Sequence, residues 1–353
     1  MSTPPKPICV DILVLKDTTA SGLYGLHDVL SSVGIAWESV VSGQPCAARF
    51  DVRIVAATKA PFQCATGGWV APDDGLDDAR NPDVVLVPGI RASIADSLAS
   101  HERSVFAWLR SMQRRGSRIA SACTGALVLA EAGLLDGSEA TTHWAYRNAF
   151  RLHYPRVRLR LEKNLCCAND GVMTSGGTTA WQHLAMFLIA DYCGKERAVQ
   201  AAKFWLIPDS GDLQSPYMTI PGITHEDSTI RDCQLWIGEH YAAQNPVDAM
   251  IGRSCLASTT FSRRFRRATG YAPMEYVHAV RVEKAKSMLE TTDRSIEHIG
   301  GKVGYEDTAS FRRLFKRQTG LAPRDYRRLF GRVRFDGYES LSVRDIRQAA
   351  AGN

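Results

Sequence analysis

The sequence predicts an α/β domain, an open parallel sheet with helices on both faces, followed by an all-α domain made of two helix-turn-helix units. Three observations carry this expectation. The chain has 353 residues and is 45% apolar, which suits about two domains with a sizeable core. Roughly its first two hundred residues alternate short apolar runs with helical stretches, the order of a parallel sheet whose crossovers are helices. Further on, one pattern is written twice, fifty residues apart: Phe261-Ser-Arg-Arg-Phe-Arg-Arg-Ala-Thr-Gly-Tyr-Ala-Pro-Met-Glu-Tyr276 and Phe311-Arg-Arg-Leu-Phe-Lys-Arg-Gln-Thr-Gly-Leu-Ala-Pro-Arg-Asp-Tyr326.

In the first part, Ile8-Cys-Val-Asp-Ile-Leu-Val-Leu15 reads as a buried first strand, Leu23 to Val33 as a helix, and Phe50 to Ala57 as a strand. Val84-Val-Leu-Val-Pro-Gly89 is a strand ending at a turn, Ser104 to Arg114 a helix, Arg118-Ile-Ala-Ser-Ala122 a strand and Gly125 to Ala132 a helix. Sheets of this kind hold ligands beyond the carboxyl ends of their strands. Cys123 falls there, on a strand-to-helix turn with the geometry of a nucleophile elbow. In that place the N–H groups of the helix N-terminus stabilise a thiolate or bind a ligand carboxylate. Gly89, Thr124, Gly125, the His143-Trp144 pair and the Gly176-Gly177 turn also fall at strand ends, so one cavity lined by these residues and Cys123 is expected. Phe204 to Asp227, broken by Pro208, Gly211, Pro216, Pro221 and Gly222, reads as a hinge or tether.

In each copy of the repeat, phenylalanines at i and i+4 give one apolar helix face, arginines fill the others, and Thr-Gly-x-Ala-Pro ends the helix and starts the next. A short helix and a tight turn precede each copy, in Pro246 to Leu256 and in Ser295 to Tyr305, which is the helix-turn-helix layout whose second helix enters the DNA major groove. Ser258 can cap the first recognition helix and Asp307 the second. Thr259, Ser262, Arg263 and Arg266 in the first, and Thr308, Ala309, Arg312 and Arg313 in the second, lie off the phenylalanine faces and face DNA. Pro273 to Glu290, with Val277, Val280, Ala285, Met288 and Leu289, reads as one long connecting helix that fixes the spacing between the two reading heads.

This second part resembles the DNA-binding domain of the AraC/XylS family of bacterial transcription regulators over residues 229 to 330, most fully in Ile299-Gly-Gly-Lys-Val-Gly-Tyr-Glu-Asp-Thr-Ala-Ser-Phe311. Gly300 departs from the family's usual alanine, and a mid-helix glycine costs about 1 kcal/mol, a source of looseness. The run Ser121 to Trp144 resembles the class I glutamine-amidotransferase-like (ThiJ/PfpI-type) superfamily, which implies a flavodoxin-like fold. Together with Thr174-Ser-Gly-Gly177 and Gln214-Ser-Pro-Tyr217 it looks like the sensor domain that precedes AraC-type units in one subfamily of regulators. The resulting boundaries are a ligand-sensing domain over 7–205, a linker over 206–228, a DNA-binding domain over 229–330 and a tail over 331–353.

The superfamily's enzymes need the elbow cysteine, usually a histidine beside it, and often a carboxylate near the first helix. Here Thr124 follows the cysteine, Ser21 to Leu26 holds no acid, Asp17 and Asp28 only flank that stretch, and His143 is the one plausible partner. The expectation is a degenerate active site kept as a ligand pocket, with no catalytic residue, no cofactor and no metal. The alternative is a cysteine-dependent amidase or hydrolase fused to a DNA-binding domain. A tryptophan face such as Trp144 or Trp181 can receive an ammonium, worth about 0.5–2 kcal/mol. With a carboxylate at the helix N-terminus, that suits an amino acid or a betaine-like zwitterion, and resemblance to regulators of arginine, carnitine and betaine catabolism implies the same. The competing reading is that each tryptophan is a core or dimer-surface residue.

Charge and cysteine usage agree with this organisation. Residues 229–353 hold 22 Lys+Arg against 14 Asp+Glu, net +8, whereas residues 1–228 hold 21 against 23, net −2, so the basic surplus sits on the part expected to meet DNA. The nine cysteines include no Cys-x-x-Cys pair, which argues against a zinc site or a disulfide framework. Neither a membrane-spanning run nor a signal peptide is found, so a cytoplasmic protein is expected. Expected partners are double-stranded DNA, a small-molecule effector, RNA polymerase and a second copy of the chain bound through the first domain.

Overall fold

A computed structural model describes residues 6–331 except 42, 44, 45, 92–102, 169, 209–212, 221 and 224; the tail lies outside the described residues. The chain divides into two compact units, Met1–Met218 and Thr219–Asn353.

The first unit is built on a seven-stranded sheet. Strand β1 (Ile8–Leu13) is followed by helices α1 (Ala20–Ser31) and α2 (Ala36–Val41), β2 (Phe50–Ala56), a ribbon of β3 (Phe62–Gln63) and β4 (Trp69–Val70), then β5 (Asp74–Gly75) and β6 (Val84–Val87). Next come α3 (Arg103–Arg114), β7 (Arg118–Ala122), α4 (Gly125–Glu131), β8 (Glu139–Ala140), α5 (Arg147–His153), β9 (Arg158–Leu159), β10 (Leu165–Cys167), β11 (Val172–Ser175), α6 (Trp181–Cys193) and α7 (Lys195–Phe204). The sheet order is β10-β11-β7-β6-β1-β2-β5, and every pairing is parallel except β10 with β11. The antiparallel edge departs from the all-parallel expectation. It arises because β10 and β11 are joined by a short turn, which only antiparallel neighbours allow.

Both faces of the sheet are covered, which is why its central strands read as continuous apolar runs. Leu23, Leu26 and Leu30 of α1 pack with Leu184 and Leu188 of α6 on one face; Val105 and Leu109 of α3 pack with Leu127 and Leu129 of α4 on the other. The chain builds from β1 outward to β5, then returns to the far side of β1 to lay down β6, β7 and β11. The order therefore reverses between β1 and β6, the point where sheets of this type open a crevice at their carboxyl ends.

The second unit is helical: α8 (Ser228–Glu239), α9 (Pro246–Ser254), α10 (Ser258–Thr269), α11 (Pro273–Thr291), α12 (Ile296–Lys302), α13 (Thr308–Thr319) and α14 (Pro323–Phe330). It has two cores, one around Phe261 and Phe265 and one around Phe311 and Phe315, and α11 supplies Val277 and Val280 to the first and Ala285 and Leu289 to the second. The repeat in sequence is a repeat in packing. Phe265 meets Tyr276 edge-on at 5.4 Å, and Phe315 meets Tyr326 edge-on at 5.4 Å.

The Thr-Gly stop works identically in both copies. Thr269 and Thr319 donate their hydroxyls to the carbonyls of Phe265 and Phe315, both at 2.8 Å, and accept from the backbone N–H of Tyr271 and Leu321. Gly270 and Gly320 then take left-handed φ of 83° and 76°, which ends the helix. Gly300 has a packing reason: a Cβ there would lie 3.2 Å from the Phe311 ring, so its smallness lets α12 sit close on α13.

Candidate functional site

The elbow of the first unit assembles from loops at the carboxyl ends of three neighbouring strands, β6, β7 and β11. Cys123 has φ of 55°, the strained turn expected of an elbow, and its N–H donates to Ser175 O at 2.8 Å. Thr124 does not cap α4; its hydroxyl donates to Ile90 O (2.6 Å) and accepts from Ile90 N–H (2.8 Å), which ties the β6 loop to the elbow. A Cβ on Gly125 would lie 2.6 Å from the Pro88 carbonyl oxygen, so that glycine is required by close approach, whereas one on Gly89 would reach ordinary contact with the Cys123 Cβ at 3.4 Å.

The thiol is buried, and burial pushes its pKa up, opposed by hydrogen bonds from Thr124 and Thr178; no charged group contributes. His143 is held below the ordinary imidazole value by burial. At neutral pH the two are a protonated thiol and a neutral ring, not a thiolate–imidazolium pair. His143 Nδ1 accepts from Ala145 N–H at 3.2 Å, and its ring lies 5.1 Å from that of Trp144. The link from His143 to the elbow is Thr142, whose hydroxyl donates to Cys123 O at 2.9 Å.

The structure thus brings Gly89, Cys123, Thr124 and Gly125 into contact, joins Gly176 to them through Ser175, and attaches His143 through its neighbour; Trp144 lies tilted against His143, and Gly177 takes a left-handed φ of 63°. One expectation changes. Helix α4 has only seven residues, and the Ala126 and Leu127 N–H groups are taken by Cys123 O and Thr124 O, so its N-terminus is not the open anion site that was expected. Of the two readings of Trp181, the structure shows the packing one, its ring pressed on Gly25 of α1, where no Cβ would fit.

Two neighbours lie outside the site residues expected from the sequence, although Gln214 opens the Gln214-Ser-Pro-Tyr217 motif. Thr19 donates both its N–H (2.8 Å) and its hydroxyl (3.0 Å) to Gly89 O across the reversal between β1 and β6. Gln214, 3% exposed, lies over Gly176 and donates Nε2 to Thr141 Oγ1 (3.1 Å) and Thr142 O (2.9 Å). With acceptors fixing Nε2, its buried Oε1 is the orphan, without a hydrogen-bond partner. Two clefts lie elsewhere: about 570 Å³ beyond β1 and β2, lined by Lys16, Asp17 and Thr58, and about 400 Å³ beside α5, lined by Arg147, Arg151 and Glu162.

In the second unit, the recognition helices are α10 and α13. Asp307 caps α13 as expected, accepting from Ala309 and Ser310 N–H at 3.0 and 2.9 Å. Ser258 does not cap α10. The first helical bond runs from Phe261 N–H to Ala257 O, so Ala257 holds the cap position and Ser258 is already inside the first turn. Ser258, Thr259, Arg263 and Arg266 are exposed and Ser262 half-buried, opposite Phe261 and Phe265; Ala309, Arg312 and Arg313 are exposed and Thr308 half-buried, opposite Phe311 and Phe315.

The arginines differ in their freedom. Arg263 has no hydrogen bond or ion pair among the described residues, whereas Arg312 pairs with Glu297 at 2.6 Å and Arg313 bonds to Ser310 Oγ at 2.8 Å. Arg264 grips Asp227 through two bonds, 3.0 and 2.8 Å, and this holds the Asp227 carboxyl below its usual range. Arg263→Ala is therefore expected to weaken specific DNA binding by about 1–3 kcal/mol in gel-shift titration at fixed salt. Unchanged affinity with an intact fold removes Arg263 from the interface.

An elbow-bearing α/β unit followed by paired helix-turn-helix units defines a ligand-sensing, DNA-binding architecture. The chain belongs to the DJ-1/PfpI family, whose model matches residues 10–190, and residues 252–329 match the model of an AraC-type helix-turn-helix domain. It is similar to the HTH-type transcriptional regulator CdhR of Pseudomonas aeruginosa, 27% identical over 77% of this chain and 80% of the relative. The HTH-type transcriptional regulator GlxA of Rhizobium meliloti is 26% identical over 75% of this chain and 83% of the relative. A crystal structure of a ThiJ/PfpI family protein from Pseudomonas syringae aligns with a TM-score of 0.48 and 20% identity, covering 70% of this chain and 91% of that one. Among the described residues no helix is long and apolar enough to cross a membrane, and no cluster suits a metal ion.

Proposed function

We propose that the chain is a transcription regulator whose first unit binds a small polar metabolite at the elbow and whose second unit binds double-stranded DNA. The observation that carries the sensor reading is an elbow with its geometry kept and its chemistry absent: Cys123 is strained and buried, its thiol raised in pKa, and no charged group acts on it. A catalytic cysteine needs the opposite environment.

The ligand surface comprises Gly89, Cys123, Thr124, Gly125, His143, Trp144, Gly176 and Gly177. The orphan Oε1 of Gln214 favours a ligand with an N–H donor, and the Trp144 ring a cationic one, so an amino acid is the preferred class and a quaternary amine the second. Exposed apolar side chains on α2 and α7, among them Val40, Val41 and Val199, support a homodimer through the first unit. RNA polymerase as a partner rests on the family resemblance alone.

Thermal-shift screening of the whole protein against amino acids and quaternary amines tests the reading. A true effector at a hundredfold excess over its Kd stabilises by about 2.7 kcal/mol. Trp144→Ala is expected to weaken its binding by about 0.5–2 kcal/mol, with Cys123→Ser leaving most of the response. Hydrolysis of amides or glyoxals that disappears in Cys123→Ser overturns it in favour of an enzyme.

A further inference from the structure

Two recognition helices on one chain select a pair of DNA boxes only when the distance and rotation between them are fixed. The second unit has two separate cores strung on α11, which spaces them along its axis and leaves how each is turned about that axis to side-chain contacts. What stiffens the joint is Arg281, midway along α11 and 8% exposed. Its guanidinium donates Nε to Tyr241 O at 2.7 Å and Nη2 to Ala243 O at 2.8 Å, both on the loop between α8 and α9, and Nη1 to Gly304 O at 3.2 Å, in the turn between α12 and α13. It also lies 5.1 Å from the centroid of the Tyr305 ring.

The two halves meet closely at this point. Gly304 has φ of 85°, and a Cβ on it would lie 2.9 Å from the Cα and carbonyl oxygen of Ala242. Tyr241 packs against both cores. Among the described residues no carboxylate pairs with Arg281, so its charge is satisfied by carbonyl dipoles drawn from both helix-turn-helix halves. Only a guanidinium has donors forked widely enough to serve three such acceptors at once; an ammonium is a point charge.

We propose that Arg281 is a positioning residue that sets the separation at which α10 and α13 meet DNA, and with it the spacing of the two boxes the protein selects. Without it, three half-buried carbonyls lose their shared donor and the halves turn about α11. The proposal rests on the DNA-binding reading of this unit, and the experiment separates the two. Duplexes are first selected from a random-sequence library by the full-length wild-type chain; failure to enrich any sequence rejects the DNA-binding reading itself.

An enriched duplex is then rebuilt as a series differing only in the base pairs between its two boxes, and wild type, Arg281→Lys and Arg281→Met are titrated against it. For wild type, one inserted base pair is expected to weaken binding about tenfold; for both variants the penalty shrinks to under about threefold, with affinity for the original spacing reduced about tenfold. Variants that keep the wild-type penalty overturn the proposal, whether or not their overall affinity falls, because a merely structural loss lowers binding to every spacing alike. Arg281→Lys retains the charge and aliphatic stem, so it keeps the test alive should Arg281→Met not fold.

Discussion

Replacing Phe315 with alanine is expected to cost the helical unit about 3–5 kcal/mol, the loss typical of a fully buried phenylalanine whose site cannot collapse. The ring is fully buried, 5.7 Å from that of Phe311 and edge-on to Tyr326, with Leu289 of α11 and Ile299 of α12 in the same core. A domain's whole stability is about 5–15 kcal/mol, so this single change removes a large share and DNA binding goes with it. Urea unfolding of the full chain, followed by far-ultraviolet circular dichroism, should show the helical transition moving to lower denaturant. A transition that stays in place means that Phe315 does not hold α13 to α11 and α12.

Gly125→Ala should be the most damaging small substitution in the first unit, at about 1–3 kcal/mol of overpacking. The added methyl would run into the carbonyl oxygens of Val87 and Pro88, which are backbone atoms of the adjacent strand and its turn and cannot rotate away. The matched control is Gly238→Ala on α8, where a Cβ meets nothing within 4 Å and the change should stabilise by about 0.5–1 kcal/mol. Equal melting shifts of the same sign for the two variants contradict the crowding argument.

The parts of this molecule legible in the sequence are those governed by local pattern. The paired phenylalanines with their Thr-Gly stop, the apolar run of β1 and the strand-to-helix turn at Cys123 all fold as their spacing implies. What stayed hidden depends on partners distant along the chain. The arginines of the repeat look like one uniform basic face, yet Arg264 is tied to Asp227, thirty-seven residues away, and Arg312 to Glu297. Arg281 sits in a helix of mixed polarity, and nothing local says that three carbonyls enclose it. Trp181 was ambiguous for the same reason, because the glycine that receives its ring is on α1. The Ser258 cap failed by one residue, the scale on which helix boundaries vary.

The glycines around Cys123 divide the elbow into a floor and a rim. On the floor, Gly125 and Gly176 abut the Pro88 carbonyl and Gln214, where any added side chain collides, while Gly89 lies in ordinary contact with Cys123. On the rim, Thr178 is exposed and Thr19 and Trp144 are half-buried. On the proposed effector reading, drift at the rim changes which compound such a protein answers to while the floor stays constant. A mutagenesis library meant to retarget this regulator belongs at positions 19, 144 and 178.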